Sequence, residues 1–348
     1  MKKVLVLLLL VSYLSAFELL QPSHYSYPIT QEKELLTKQP QINKNFFASQ
    51  KGYFEGESKI RIFYRIFKVP KAIASIVISS GRTESLGKYK ELIYDLNHNG
   101  FNVYIMDHRG QGDSGRLTED PQLGHVNDFE NYIRDLHTFI QTKVIPDKPY
   151  NLFLVAHSMG GAIGGLYIEE HPDVFDAAFF SSPMMQPTLG APLISGFMCE
   201  ALSLKDDAQP DYAPGTQSYD NENRDFVGNT LTHSQLRYSI TEKTFAKNAK
   251  EKVGGPSLQW VVQSCEASQR VVENANKITI PFLLLQAGED KIVNAAPQKI
   301  FCKNAQTQCS AYTIGGAYHE LFVESDIYRN LAITNLITFF KANLKLED

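Results

Sequence analysis

Short apolar runs rich in Val, Ile and Phe recur through the first half of the chain, at 72–79, 101–106, 152–156 and 175–180. Runs of this kind, with no polar residue at alternate positions, suit strands covered on both faces, and that arrangement belongs to parallel sheets. The stretches between them, at 87–98, 127–143 and 159–170, have helical spacing, so the chain reads as a parallel sheet wrapped by helices. The run 60–67 alternates enough to suggest a half-exposed strand. The pattern breaks off after Ser181-Ser182-Pro183 and resumes only at 278–285. A structureless loop of that length is improbable in a compact domain, so the interval is expected to be a mostly helical insertion over one end of the sheet. A strand at 281–287, a helix near 295–302, a strand near 309–314 and a helix at 327–343 then complete the alternation. Residues 17–48, interrupted by Pro22, Pro28 and Pro40, are expected to form a strap without a regular element.

The resulting division is 1–16 as a signal peptide, 17–48 as the strap, 49–183 and 276–348 as the two parts of the core, and 184–275 as the inserted cap. The first segment begins Met1-Lys2-Lys3, continues with an unbroken apolar run from Val4 to Val11, and reaches small residues at Ser15-Ala16, the order of a secretory signal. Export to the periplasm, or peripheral association with the inner membrane, is the corresponding expectation. The 348 residues carry 43% hydrophobic and 21% charged side chains with a net charge of −4, so no basic surface argues for nucleic acid. In an oxidising compartment Cys302 and Cys309 are expected to pair, whereas Cys199 and Cys265 read equally well as a pair or as buried thiols. The cysteine spacing does not suit zinc and no histidine pair completes a site, so neither metal nor cofactor is expected.

The chemistry lies at Ala156-His157-Ser158-Met159-Gly160-Gly161, which follows a strand and opens a helix. A serine on such a sharp turn, with small residues two positions to either side, is a nucleophile elbow; here Ala156 stands at the first flank, where Gly is commoner. The hydroxyl needs a base and the base an orienting carboxylate, in the order Ser, Asp, His. Asp290, in Ala287-Gly288-Glu289-Asp290, follows one expected strand, and His319, in Gly315-Gly316-Ala317-Tyr318-His319, follows the next. All three fall at carboxyl ends of strands, where open α/β sheets place their sites. Glu289 is a lesser candidate for the acid. The amide of Met159 supplies one donor for an oxyanion, and the amide of Arg82, in the Gly81-containing loop after strand 72–79, is nominated as the second. The Arg82 side chain reads either as a solvated charge or as a contact for a substrate phosphate. Asp107, His108, Arg109, His125 and His157 are expected to brace loops, and Trp260 to pack in the cap.

In order along the chain, Asp107-His108-Arg109-Gly110-Gln111-Gly112-Asp113-Ser114-Gly115, Gly124-His125-Val126, the elbow and Gly316-Ala317-Tyr318-His319-Glu320 resemble the motifs of α/β-hydrolases of the lysophospholipase L2 and monoacylglycerol lipase group. Leu231-Thr232-His233-Ser234-Gln235-Leu236-Arg237-Tyr238 and Gly254-Gly255-Pro256 resemble the lysophospholipase L2 cap in particular. The likeness spans roughly residues 50 to 343. It implies an α/β-hydrolase fold, with a mostly parallel sheet flanked by helices and an inserted helical cap. It also implies a serine hydrolase that removes the acyl chain of a lysophospholipid or monoacylglycerol. A general carboxylesterase or acyltransferase using the same triad, and a non-catalytic lipid-binding scaffold, are the alternatives. Met184, Met185, Leu193, Ile194 and Phe197 are the expected lining of an acyl channel.

Overall fold

A computed structural model describes residues 17–22, 26–190, 192–202 and 210–345, without the side chains of 192, 193 and 202. The expected signal segment 1–16 and the side chain of Leu193 lie outside the described residues. The strands are β1 (Glu18–Leu19), β2 (Gln50–Glu55), β3 (Arg61–Phe67), β4 (Ala74–Ser79), β5 (Phe101–Met106), β6 (Leu152–His157), β7 (Ala177–Ser181), β8 (Phe282–Ala287) and β9 (Cys309–Ile314). They form one sheet in the order β1-β9-β8-β7-β6-β4-β5-β3-β2. Only the β2/β3 and β3/β5 pairs are antiparallel. The register pairs Ser79 with Ala156, His157 with Ser181, Ser181 with Leu285 and Ala287 with Ile314, so the strand ends that carry the site are level.

The core helices are α1 (Glu32–Phe47), α2 (Lys90–His98), α3 (Glu130–Phe139), α4 (Met159–Glu170), α8 (Ala295–Ala305) and α9 (Asp326–Ala342). Between β7 and β8 lie α5 (Pro192–Leu202), α6 (Gln235–Lys247) and α7 (Leu258–Glu273). Alternate residues of the central strands enter separate apolar clusters on the two faces: Leu154 and Phe180 on one, Val155 and Phe179 on the other. This two-sided burial explains their unbroken apolar sequence.

Two expectations need correction. The strap contains a helix, α1, with Pro40 inside it. Proline has no amide hydrogen, so the Leu36 carbonyl lacks its helical donor. The helix is held instead by Leu35, Ile42 and Phe46, all buried on one face, and by Asp326, which accepts from the Glu32 amide. The run 60–67 is likewise more buried than its alternation suggests. Flanked by β2 and β5, β3 is an interior strand, and Arg65 is buried with its guanidinium 4.5 Å from the Phe46 ring centroid.

The cap is fastened to the core at fixed points. The Gly124 amide donates to Gly255 O at 3.0 Å, the Gly254 amide to Gln122 O at 2.7 Å and the Ser257 amide to Gly124 O at 2.8 Å, so two separate sequence motifs meet as one seam. His125 closes it through Nδ1 to Ser257 Oγ, 2.8 Å. A disulfide between Cys199 and Cys265 ties α5 to α7, resolving the open reading of that pair, and Cys302–Cys309 joins α8 to β9.

Candidate active site

Ser158 sits between β6 and α4 with φ 52° and ψ −122°, a left-handed conformation for a residue with a side chain. The turn that enforces it is tight. A Cβ on Gly160 would stand 2.1 Å from Ser79 O, and one on Gly161 would stand 2.4 Å from Pro183 Cβ. Ala156 fits at the other flank because its Cβ faces Gly164, where no side chain competes for space.

His319 reaches this serine from the loop after β9, with Nε2 2.8 Å from Ser158 Oγ. Its Nδ1 lies 2.8 Å from Asp290 Oδ2 in the loop after β8. A carboxylate only accepts, so Nδ1 carries the proton and Nε2 is left as the acceptor for the serine hydroxyl. The other oxygen of Asp290 accepts the amides of Ile292 (2.8 Å) and Val293 (3.1 Å), which fixes the carboxylate. Burial disfavours the imidazolium of His319, but the charge and hydrogen bond of Asp290 outweigh it and raise the imidazole pKa above its ordinary 6.5. Glu289 is exposed, and its amide donates to Ala317 O. Asp290, not Glu289, is therefore the carboxylate that meets His319.

The loop after β4 passes beside the elbow, since Gly160 packs on the carbonyls of Ser79 and Ser80. The amides on either side of Arg82 are engaged, Gly81 with Glu84 Oε2 at 2.6 Å and Thr83 with Gln111 Oε1 at 2.9 Å. The Arg82 side chain is not the solvated charge that was one of its two expected readings. Its Nη2 donates to Gly254 O at 2.6 Å and its guanidinium lies 5.0 Å from the Trp260 ring, so it latches the loop to the cap. Burial lowers its pKa to about 10.

Around His319 lies a buried charge array that includes Lys88 and Glu84, which no sequence motif singles out. Lys88 Nζ contacts Glu84 and stands 2.5 Å from Glu320 Oε2; His157 Nε2 is 3.1 Å from the same Glu320 oxygen. Its signal was the position of Glu320 directly after His319. His157, Glu320 and His319 also form the one cluster of potential metal ligands among the described residues. Lys88 already supplies a cation there, and His319 is committed to Ser158 and Asp290. The Asp107-His108-Arg109 stretch is structural: Arg109 makes a two-pronged ion pair with Asp135, both bonds 2.7 Å, and Asp107 accepts the amides of Leu86 and Asp113. Trp260 is buried in the cap, as expected.

The residues expected to line an acyl channel are divided. Met184 and Met185 are buried, and the Met184 amide donates to Ser158 O at 2.8 Å. Ile194 and Phe197 are exposed on α5. A single closed lining is not formed by these four.

The model of the family described as "Serine aminopeptidase, S33" matches residues 70–326. Lysophospholipase L2 of Escherichia coli strain K12 is 38% identical over 298 residues, covering 82% of this chain and 86% of that protein. Monoglyceride lipase of Mus musculus is 27% identical over 275 residues, covering 76% and 81%. Among solved structures, a soluble variant of the Saccharomyces cerevisiae monoglyceride lipase aligns with a TM-score of 0.69 at 15% identity, covering 94% of this chain and 99% of that one. The fold, the family match and these relatives agree: the chain belongs to the serine aminopeptidase S33 family of α/β-hydrolases, in its lysophospholipase L2 and monoacylglycerol lipase group, and is a carboxylic ester hydrolase.

Proposed function

We propose that this hydrolase is a lysophospholipase working through a Ser158–His319–Asp290 triad. The observation that carries the reading is the unbroken chain from Ser158 Oγ to His319 Nε2 and from His319 Nδ1 to Asp290, built on a strained elbow. His319 takes the hydroxyl proton as Ser158 Oγ attacks the ester carbonyl. The amides of Met159 and Arg82 hold the resulting oxyanion, and the glycerophospho alcohol leaves with the proton from His319. Water, deprotonated by the same base, then attacks the acyl-enzyme, and the fatty acid is released as Ser158 regains its proton. The preference for a lysophospholipid over a monoacylglycerol rests on the greater identity to the Escherichia coli lysophospholipase L2 than to the mouse lipase.

Export and peripheral membrane contact belong to the same proposal. The signal-like start of the chain and the two disulfides support an oxidising compartment. The exposed Ile194, Phe197 and Met198 on α5 would give the cap an apolar edge toward lipid. No helix among the described residues is long and apolar enough to cross a membrane. The test is kcat/KM on lysophosphatidylethanolamine, a monoacylglycerol of the same chain and a short-chain ester. The lysophospholipid should lead; a clear lead for the monoacylglycerol would assign the chain as a monoacylglycerol lipase, and equal efficiency on all three would make it a general carboxylesterase.

A further inference from the structure

The cap segment 231–237 takes no part in the triad, yet its hydrogen bonds converge on the loop that carries His319. The Glu320 amide donates to Leu231 O at 2.9 Å, and Thr232 Oγ1 donates to Val323 O at 2.8 Å. The His233 amide donates to Glu324 Oε2 at 2.9 Å, and His233 Nδ1 bonds Glu324 Oε1 at 2.7 Å. Glu324 is fully buried, and the same carboxylate accepts the amides of Tyr318 (2.8 Å) and Ser325 (2.7 Å). The His233 ring stacks on Tyr318, centroids 3.9 Å apart, and Arg237 Nη1 donates to Glu324 O at 2.8 Å. One buried carboxylate thus joins the cap to the main chain one residue before His319.

We infer that His233 and Glu324 are positioning residues for the base, so that seating of the cap and placement of His319 are one event. The inference rests on the triad reading above. A carboxylate with four donors has no spare geometry: removing His233 leaves Glu324 with a lost partner in a buried setting, where it must turn or recruit water, and the Tyr318 amide moves with it. His319 has little tolerance for that motion, because displacement of a reacting group by about 1 Å can cost about 10²-fold in rate. The charged and titratable groups facing His319 are Asp290 from the loop after β8, its chain neighbour Glu320, Lys88 from the turn before α2, and His157 from β6. Of these only Asp290 is hydrogen-bonded to it, so displacement weakens the contact that raises its pKa.

Full-length wild type, His233→Ala, His233→Asn and Glu324→Gln decide the matter, through kcat, KM, the pH profile, the melting temperature and the labelling rate of Ser158 by a fluorophosphonate. His233→Ala and Glu324→Gln should lower kcat and the labelling rate by roughly 10- to 100-fold, leave KM nearly unchanged, and move the acidic limb of the profile to lower pH. His233→Asn, whose amide can donate to Glu324 as Nδ1 does, should recover most of the rate. A His233→Ala protein that melts earlier but keeps wild-type kcat, labelling and pH profile would overturn the inference, as would a loss confined to KM. If Glu324→Gln fails to fold, the Ala and Asn variants at 233 decide alone. Wild type that does not label at Ser158 would instead sink the triad reading itself.

Discussion

Lys88 lies 2.5 Å from Glu320, both side chains buried, and the charges of both act on His319. Burial penalises the Glu320 charge, but Lys88 and then His157 overcome that penalty and hold its carboxyl well below the ordinary 4.5. A group whose folded pKa is depressed contributes stability above its unfolded pKa and loses it as pH falls through the folded value. The array therefore stabilises the protein at neutral pH and fails in acid. Lys88→Met should cost roughly 3–5 kcal/mol, because it leaves Glu84 and Glu320 buried without their cation. Denaturant melts at pH 7 check this; an unchanged midpoint would show that the array is dispensable.

The raised pKa of His319 predicts how turnover responds to pH. The base must be neutral to accept the serine proton, so kcat/KM should rise with pH through a value above 6.5. Asp290→Asn should shift that limb downward and lower kcat by about 10⁴-fold, the loss seen when an orienting carboxylate is replaced by its amide. Glu289→Gln should leave both unchanged, since its side chain is exposed and takes no part in the hydrogen-bonded chain. The paired pH profiles are the measurement.

The disulfides differ in the length of chain they close. Cys302 and Cys309 are 7 residues apart and Cys199 and Cys265 are 66 apart. On the chain-entropy relation these give about 2.5 and about 4.4 kcal/mol. Replacing Cys199 and Cys265 together by Ser should therefore lower the melting temperature more than replacing the other pair, while neither change should alter kcat on a soluble ester by more than a few-fold. Calorimetry with a parallel esterase assay tests the order.

Gly160→Ala tests the elbow separately from its chemistry. The added Cβ would meet backbone at 2.1 Å, which no side-chain rotation relieves. Soluble, fully active Gly160→Ala protein would show that the turn is looser than its geometry requires; the expected outcome is loss of soluble expression or of turnover.

Much of this was legible before any coordinates. The unbroken apolar runs marked the two-sided strands because burial on both faces leaves no polar position; Ser158 and Asp290 follow such strands, β6 and β8, whereas His319 follows the half-exposed β9 and was legible from its Gly315-Gly316 loop. What was missed depends on contacts between distant segments. Pro40 sits in a helix because Leu35, Ile42 and Phe46 bury one face of α1 against the core, which outweighs the lost hydrogen bond. The Arg82 side chain went to Gly254 and Trp260 because the cap folds over its loop, a placement local sequence does not encode. Lys88 and Glu324 look like ordinary surface charges in the sequence; only the packing of the loop around His319 buries them.

The central claim, that Ser158 attacks the ester from its hydrogen bond to His319, is tested most directly by turnover of Ser158→Ala on a long-chain lysophospholipid, with the melting temperature measured on the same sample. The account predicts an unchanged melt and a kcat lower by about 10⁴-fold or more. A folded Ser158→Ala protein that kept more than a few per cent of wild-type turnover would contradict it.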